Sequence, residues 1–201
     1  MKRMILTVVL TLVASGANAA TLNVAGGLLI GASGVNVGGS LYDVEFLDGT
    51  CIALFSGCDD LSDFTFPDLA SSSLASQALR TQVLLDGALG QFDSDAMLTA
   101  GCPPLSGNGI ECWIFTPWDP ATSPAANAQH NAAINRSQSL TTMPDGFGGV
   151  VLGANQSNST LDQFFPSVFA RWSPVPEPNT ALLLGLGLTG LTAKGRRRNR
   201  S

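Results

Sequence analysis

The chain has 201 residues, and 12% of them carry charge, about half the share of a typical soluble domain. All fifteen acids lie between Ala20 and Glu177, where the only bases are Arg80, Arg136 and Arg171. A surface of that balance repels a phosphate backbone, which excludes nucleic-acid binding, and the length suits one domain with short appendages.

Residues 1–19 open with Lys2 and Arg3, continue as an apolar run from Met4 to Ala14, and close on Ser15-Gly-Ala17-Asn-Ala19. Basic, apolar, then small residues at Ala17 and Ala19 is the order of a secretory signal, with cleavage expected after Ala19. Signal peptidase and Sec export are the implied partners. The apolar run falls short of the roughly 20 residues that span a bilayer; an uncleaved anchor is the competing reading.

The body, residues 20–173, begins with Gly-rich alternation of apolar and polar residues. Antiparallel strands are predicted over Leu22 to Ile30, Gly34 to Leu47 and Thr50 to Phe55, with Asp48-Gly49 as a hairpin turn. Pro67-Asp68 then opens a helix, with Asp68 as N-cap, Leu74, Ala75, Ala78, Leu79 and Val83 as its apolar positions, and Gly87 past its end. Ser123-Pro124 repeats the start signal and predicts a second helix over Ala125 to Ile134. Phe147 to Ala154 and Ser167 to Trp172 return to strand patterning before Pro174 and Pro176 begin a linker. Strands first, helices between and strands last make the body α+β, with a small β-sandwich as the alternative.

Four cysteines, Cys51, Cys58, Cys102 and Cys112, lie in the exported part. An even count there predicts disulfides, and the short separations favour Cys51–Cys58 and Cys102–Cys112, each contributing about 2–3 kcal/mol. A thiolate zinc site would show C-x2-4-C pairs, whereas the intervals here are six and nine residues.

Chemistry-bearing residues are sparse. The one histidine, His130, falls in the predicted second helix and reads as a solvated helix residue; no G-x-S-x-G elbow names a nucleophile for it, and no H-E-x-x-H names a metal. No catalytic residue, metal or cofactor is assigned. Asp59, Asp60 and Asp63, and Asp93 with Asp95, lack EF-hand spacing and read as solvated acidic loops rather than calcium sites or a carboxylate pair for glycoside hydrolysis. Trp113 and Trp118, with Phe115 between them, suit either a β core or stacking on sugar rings. Asn135, Asn155 and Asn158 stand in N-x-S/T strings, which carry little weight alone.

Residues 174–201 form a three-part tail: Val175-Pro176-Glu177-Pro178, an uncharged stretch from Thr180 to Ala193, and a basic end of Lys194, Arg196, Arg197, Arg198 and Arg200. The uncharged stretch is short, yet with Asn179 at one edge and Lys194 and the arginines extending their stems at the other it predicts a transmembrane helix over 180–193. The basic cluster stays cytoplasmic and the acidic body outside. Gly185-Leu-Gly187-Leu-Thr-Gly190 matches the dinucleotide string but lacks its βαβ setting.

This tail resembles the PEP-CTERM sorting signal of Gram-negative bacteria, over Val175 to Arg200. The resemblance implies an exosortase substrate: the protein is held in the inner membrane by its helix, recognised by that membrane protease, and passed to the envelope exterior in organisms that make exopolysaccharide. An ordinary anchor that is never processed is the alternative. Exopolysaccharide is the implied matrix partner. The reading from sequence is therefore an exported, disulfide-stapled, structural or adhesive component of the extracellular polysaccharide matrix. A carbohydrate-binding module is the second reading, and an envelope polysaccharide hydrolase the third.

Overall fold

A computed structural model describes residues 19–102, 111–121, 127–137, 146–153 and 166–176. Three strands come first, β1 (Thr21–Ala25), β2 (Leu28–Val37) and β3 (Ser40–Leu47). They fold back at Gly26-Gly27 (φ 60° and 84°) and Gly38-Gly39 (φ 61° and 100°), the paired positive φ of the two-residue turns that match strand twist. Two helices follow, α1 (Cys51–Leu54) and α2 (Leu69–Ala78). A two-stranded ribbon, β4 (Asp86–Gly87) with β5 (Gly90–Gln91), precedes β6 (Glu111–Asp119), β7 (Asn127–Arg136), β8 (Gly146–Gly153) and β9 (Ser167–Pro174).

Seven of these strands make one sheet in the order β1-β2-β3-β9-β6-β7-β8. It consists of two antiparallel meanders, β1-β2-β3 and β6-β7-β8. The last strand lies between them, antiparallel to β3 from Tyr42↔Pro174 to Leu47↔Phe169 and parallel to β6 over Trp113↔Ser167 to Phe115↔Phe169. The body is thus mostly β, which corrects the α+β expectation. Nor do two facing sheets form among the described residues, so the sandwich alternative is also set aside.

Two local corrections explain the difference. Thr50 to Phe55, expected as a strand after an Asp48-Gly49 hairpin turn, instead opens the short helix α1, whose N-cap Thr50 accepts a hydrogen bond from the Ala53 amide at 3.2 Å. Ala125 to Ile134, expected as a second helix, is largely strand β7. Its Ala-rich sequence favours a helix intrinsically, but β7 has a partner on each side and is buried on both faces; small side chains suit a central strand, and tertiary pairing outweighs local propensity. By contrast, α2 starts where Asp68 predicts, the Asp68 carboxylate accepting the Ser71 amide at 2.8 Å, and Leu79–Val83 continues it as one wider turn. The predicted transmembrane helix over 180–193 lies outside the described residues, as do the signal's residues 1–18; among the described residues, no helix is long and apolar enough to cross a membrane.

Successive residues of a strand face opposite sides, and the sheet uses both. Val44, Phe46, Ile114, Ala133, Val168, Ala170 and Trp172 form one core with Ala75 and Ala78 of α2, with Leu79 of the turn that continues it, and with Phe66 and Phe92. Phe115, Ala132, Ile134 and Phe169 face the other way, into a second core with Phe55, Phe64 and the Cys51–Cys58 pair. The chain changes side between Phe64 and Phe66, and the Thr65 hydroxyl between them donates to the Trp172 carbonyl at 2.7 Å. This crossing occurs beside β9 beyond its three-residue pairing with β6, where that carbonyl has no β6 partner.

Ion pairs reinforce the register. Arg136 meets Glu111 at 3.1 Å and Arg171 meets Glu45 at 2.6 Å, and in both cases the residues stand directly opposite across two strands. Cross-strand pairs of this kind contribute about 0.2–1 kcal/mol each. Gly31 contributes by absence: at φ 148° an added Cβ would lie 2.1 Å from the Val44 carbonyl oxygen, so β2 and β3 approach there only with glycine.

Phe169 is wholly buried, with ring neighbours Phe55, Phe115 and His130 at 5.4–5.7 Å. Replacing it with alanine is expected to cost about 3–5 kcal/mol in urea unfolding, whereas Val151→Ala, at a residue 60% exposed, should change stability by less than about 0.5 kcal/mol.

Candidate functional site

The candidate site is the point where the chain leaves the sheet. β9 stays paired with β3 through Pro174, and one residue further the Val175 amide donates to the Leu41 carbonyl at 2.9 Å. Val175 is half-buried and Pro176 exposed. The four residues read as a sorting motif therefore begin on the last backbone hydrogen bond of the central strand, with no spacer between body and motif. Glu177, Pro178 and the basic end from Lys194 to Arg200 lie outside the described residues.

At the other terminus, Ala19 is exposed and Ala20 half-buried, packed against the first core. The expected signal-cleavage bond thus stands at the margin of the body, one residue before β1. A hollow of about 330 Å³ adjoins it, lined by Leu22, Leu85 and Leu89 with Asp86. Ala17 lies outside the described residues.

Both disulfides join the expected partners. Cys51 and Cys58 are bridged across α1 with Cα atoms 5.6 Å apart, and Cys102 and Cys112 are bridged at 5.8 Å. All four are buried, the first pair in the second core and the other in the first. The Cys102–Cys112 bridge ties β6 to the segment that precedes it, and Cys51–Cys58 closes a short loop around α1. Replacing Cys51 and Cys58 together by serine is expected to lower unfolding stability by about 2–3 kcal/mol, and thiol alkylation of the unfolded native protein without reductant should add no mass.

Of the acidic groupings, Asp60, Asp63 and Asp95 serve as local caps, while Asp59 and Asp93 contribute backbone amides. Asp63 accepts the amides of Asp59 and Asp60, both at 3.1 Å, and Asp60 accepts that of Ser62 at 2.8 Å, closing a reciprocal capping box around Leu61–Asp63. The Ser62 amide, then its hydroxyl, holds the Asp60 carboxyl below the usual carboxylate range. Asp86 accepts the amides of Asp93 and Ser94 and the Ser94 hydroxyl, and the hydroxyl is the main cause of its lowered pKa. Asp95 caps Ala96–Leu98 through the Met97 amide. Backbone amides occupy these oxygens as a cation would, and among the described residues no group of three metal-ligating side chains converges.

His130 is not a solvated helix residue. It sits wholly buried in β7, with the rings of Phe115 and Phe169 at 5.8 and 5.4 Å, and both ring nitrogens are without hydrogen-bond partners among the described residues. Burial pushes its pKa down to about 3. The folded protein therefore refuses a proton that the unfolded chain accepts below about pH 6.5, and stability falls by about 1.4 kcal/mol per unit as pH drops through that window. Between pH 6.5 and 5 the native protein should lose about 2 kcal/mol in urea titrations, and His130→Leu should abolish most of that slope.

Trp113 packs against the second core, half-buried, and Trp118 is half-buried at a break in the β6–β7 register between Pro117 and Asp119. Asn135 is fully buried and its side-chain amide donates to the Phe92 carbonyl at 2.6 Å, so it is closed to glycosylation once folded; Asn155 and Asn158 lie outside the described residues. Sequence reasoning missed the role of Leu41, whose carbonyl holds the exit point; only the pairing of β3 with β9 reveals it.

Residues 174–198 match the PEP-CTERM protein-sorting motif. The chain carries a PEP-CTERM sorting signal. The motif implies export, exosortase processing at the membrane and passage toward the envelope, and its first matched residue, Pro174, is also the last residue of β9. No curated protein and no solved structure matches the chain.

Proposed function

We propose that this PEP-CTERM protein is a non-catalytic structural or adhesive component of the extracellular polysaccharide matrix. The sorting motif joined directly to the central strand carries this reading. Its function is then a matter of placement: the tail brings the body to the outer face, and the body supplies a durable acidic surface.

The use made of reactive side chains supports the same view. Carboxylates of both acidic groupings hold turns, the cysteines are paired, and the imidazole is enclosed by aromatic rings. Acids on an exposed sheet face, such as Asp43 and Glu45, keep the released body soluble and repel anionic surfaces at low salt. Glycan contact through Trp113 and Trp118 is the second reading; both residues are half-buried, with their indole nitrogens enclosed.

In its own host, the natural protein should lose the Arg-rich tail and leave the membrane fraction, whereas a variant with Pro176, Glu177 and Pro178 changed to alanine should retain Ser201 by intact mass and remain membrane-bound. Equal retention of both forms would contradict sorting. The released protein should co-sediment with host exopolysaccharide without shortening it. Polymer turnover would favour a hydrolase, and loss of co-sedimentation in Trp113→Ala/Trp118→Ala would favour a glycan-binding module.

A further inference from the structure

The charges of this acidic body avoid the end at which the chain leaves the sheet. Val37 to Tyr42, around the turn from β2 to β3, carry no charge, nor do Pro174 to Pro176 or any residue of α2. The fold brings these three segments together. The Leu41 carbonyl holds the Val175 amide, and a Cβ added to Gly38 would lie 3.6 Å from Cδ1 of Leu74 in α2. Gly38, Gly39 and Ser40 are exposed, Leu41 and Val175 half-buried, and Leu74 is 48% exposed. Asp43 and Asp68 stand at the margin, the first accepting the Gly34 amide and the second capping α2.

The tether states what this end meets. From Val175, fixed on the sheet, to Thr180, where the uncharged stretch of the tail begins, the chain reaches at most roughly 17 Å when extended. While the tail holds the protein at the membrane, the exit end is therefore the part of the body nearest the lipid. Exposed apolar side chains gain by leaving water for the headgroup boundary, and an uncharged surface gives up no ionic hydration there. The acids at the margin favour zwitterionic over anionic headgroups. The opposite end of the sheet lies well away: Leu28, at the start of β2, is nine residues from Val37, roughly 30 Å along the strand.

We propose that the body of the anchored precursor rests on the bilayer through this end, with the Gly38-Gly39 turn and Leu74 at the headgroups and the Gly26-Gly27 turn pointing away. The contact sets the orientation in which the body is presented to a membrane protease, and it is given up on release. The inference rests on the sorting reading, and its test separates the two.

The test uses the protein with its tail intact, produced in a host without the processing protease and reconstituted into phosphatidylcholine vesicles that carry a headgroup quencher. Leu74→Cys and Leu28→Cys each receive one fluorophore; the two positions are similarly exposed, at 48% and 41%, and the four native cysteines are paired. The label at Leu74 should be quenched several-fold more than that at Leu28, with its emission shifted to the blue. Ser40→Cys, beside the same turn, should follow Leu74 and guards against a local disturbance of α2 by the first label. Equal quenching at the two ends, or stronger quenching at Leu28, in protein that floats with the vesicles would overturn the proposal and leave anchoring intact. Protein that does not float with the vesicles would overturn both.

Discussion

The backbone pairing of β9 holds the described body together. On one side it has six residue pairs with β3; on the other, three parallel pairs with β6, backed by the Trp113 amide donating to the Pro166 carbonyl at 2.8 Å. Its side chains are divided between the two cores, Val168, Ala170 and Trp172 to one and Phe169 to the other. Both hydrophobic clusters therefore depend on a strand that is the last described element of the chain. Without β9 each meander loses a neighbour and both cores lose the side chains it supplies, so neither half is expected to reach full stability until β9 arrives.

That order has a consequence for export. The central strand and the sorting motif are contiguous, so the segment that completes the sheet leads straight into the tail. The pairing of β3 with β9 joins residues more than a hundred positions apart, a non-local contact that carries a large closure cost and slows folding. The disulfides and local caps act earlier in the chain, closing short loops around α1 and before β6. They reduce the disorder that the late pairing must overcome.

Features whose cause is local were legible in the sequence. Asp68 announces α2 because a carboxylate one residue before an apolar-periodic run satisfies a free amide, and the two disulfides follow from short cysteine spacing in an exported chain. Gly26-Gly27 and Gly38-Gly39 were equally local turn signals, but the expected strands ran across the first and through the second. Features set by tertiary pairing were not legible. Thr50-Cys51-Ile52 looks like a strand until Thr50 is seen capping an amide, and the Ala-rich β7 looks like a helix until β6 and β8 flank it. The misplacement of His130 followed from that error. The site shows the same division: the residues of the motif can be read directly, but Leu41 as their tether depends on a long-range register.

The most direct measurement is hydrogen–deuterium exchange on the exported protein, comparing the amides of β9 with those of the edge strand β1. If β9 joins the two halves, its amides exchange only through global unfolding, at the full unfolding free energy and well below the rate in β1. Exchange in β9 as fast as in β1, while β2 and β7 remain protected, would show that the meanders stand without it and would contradict the account.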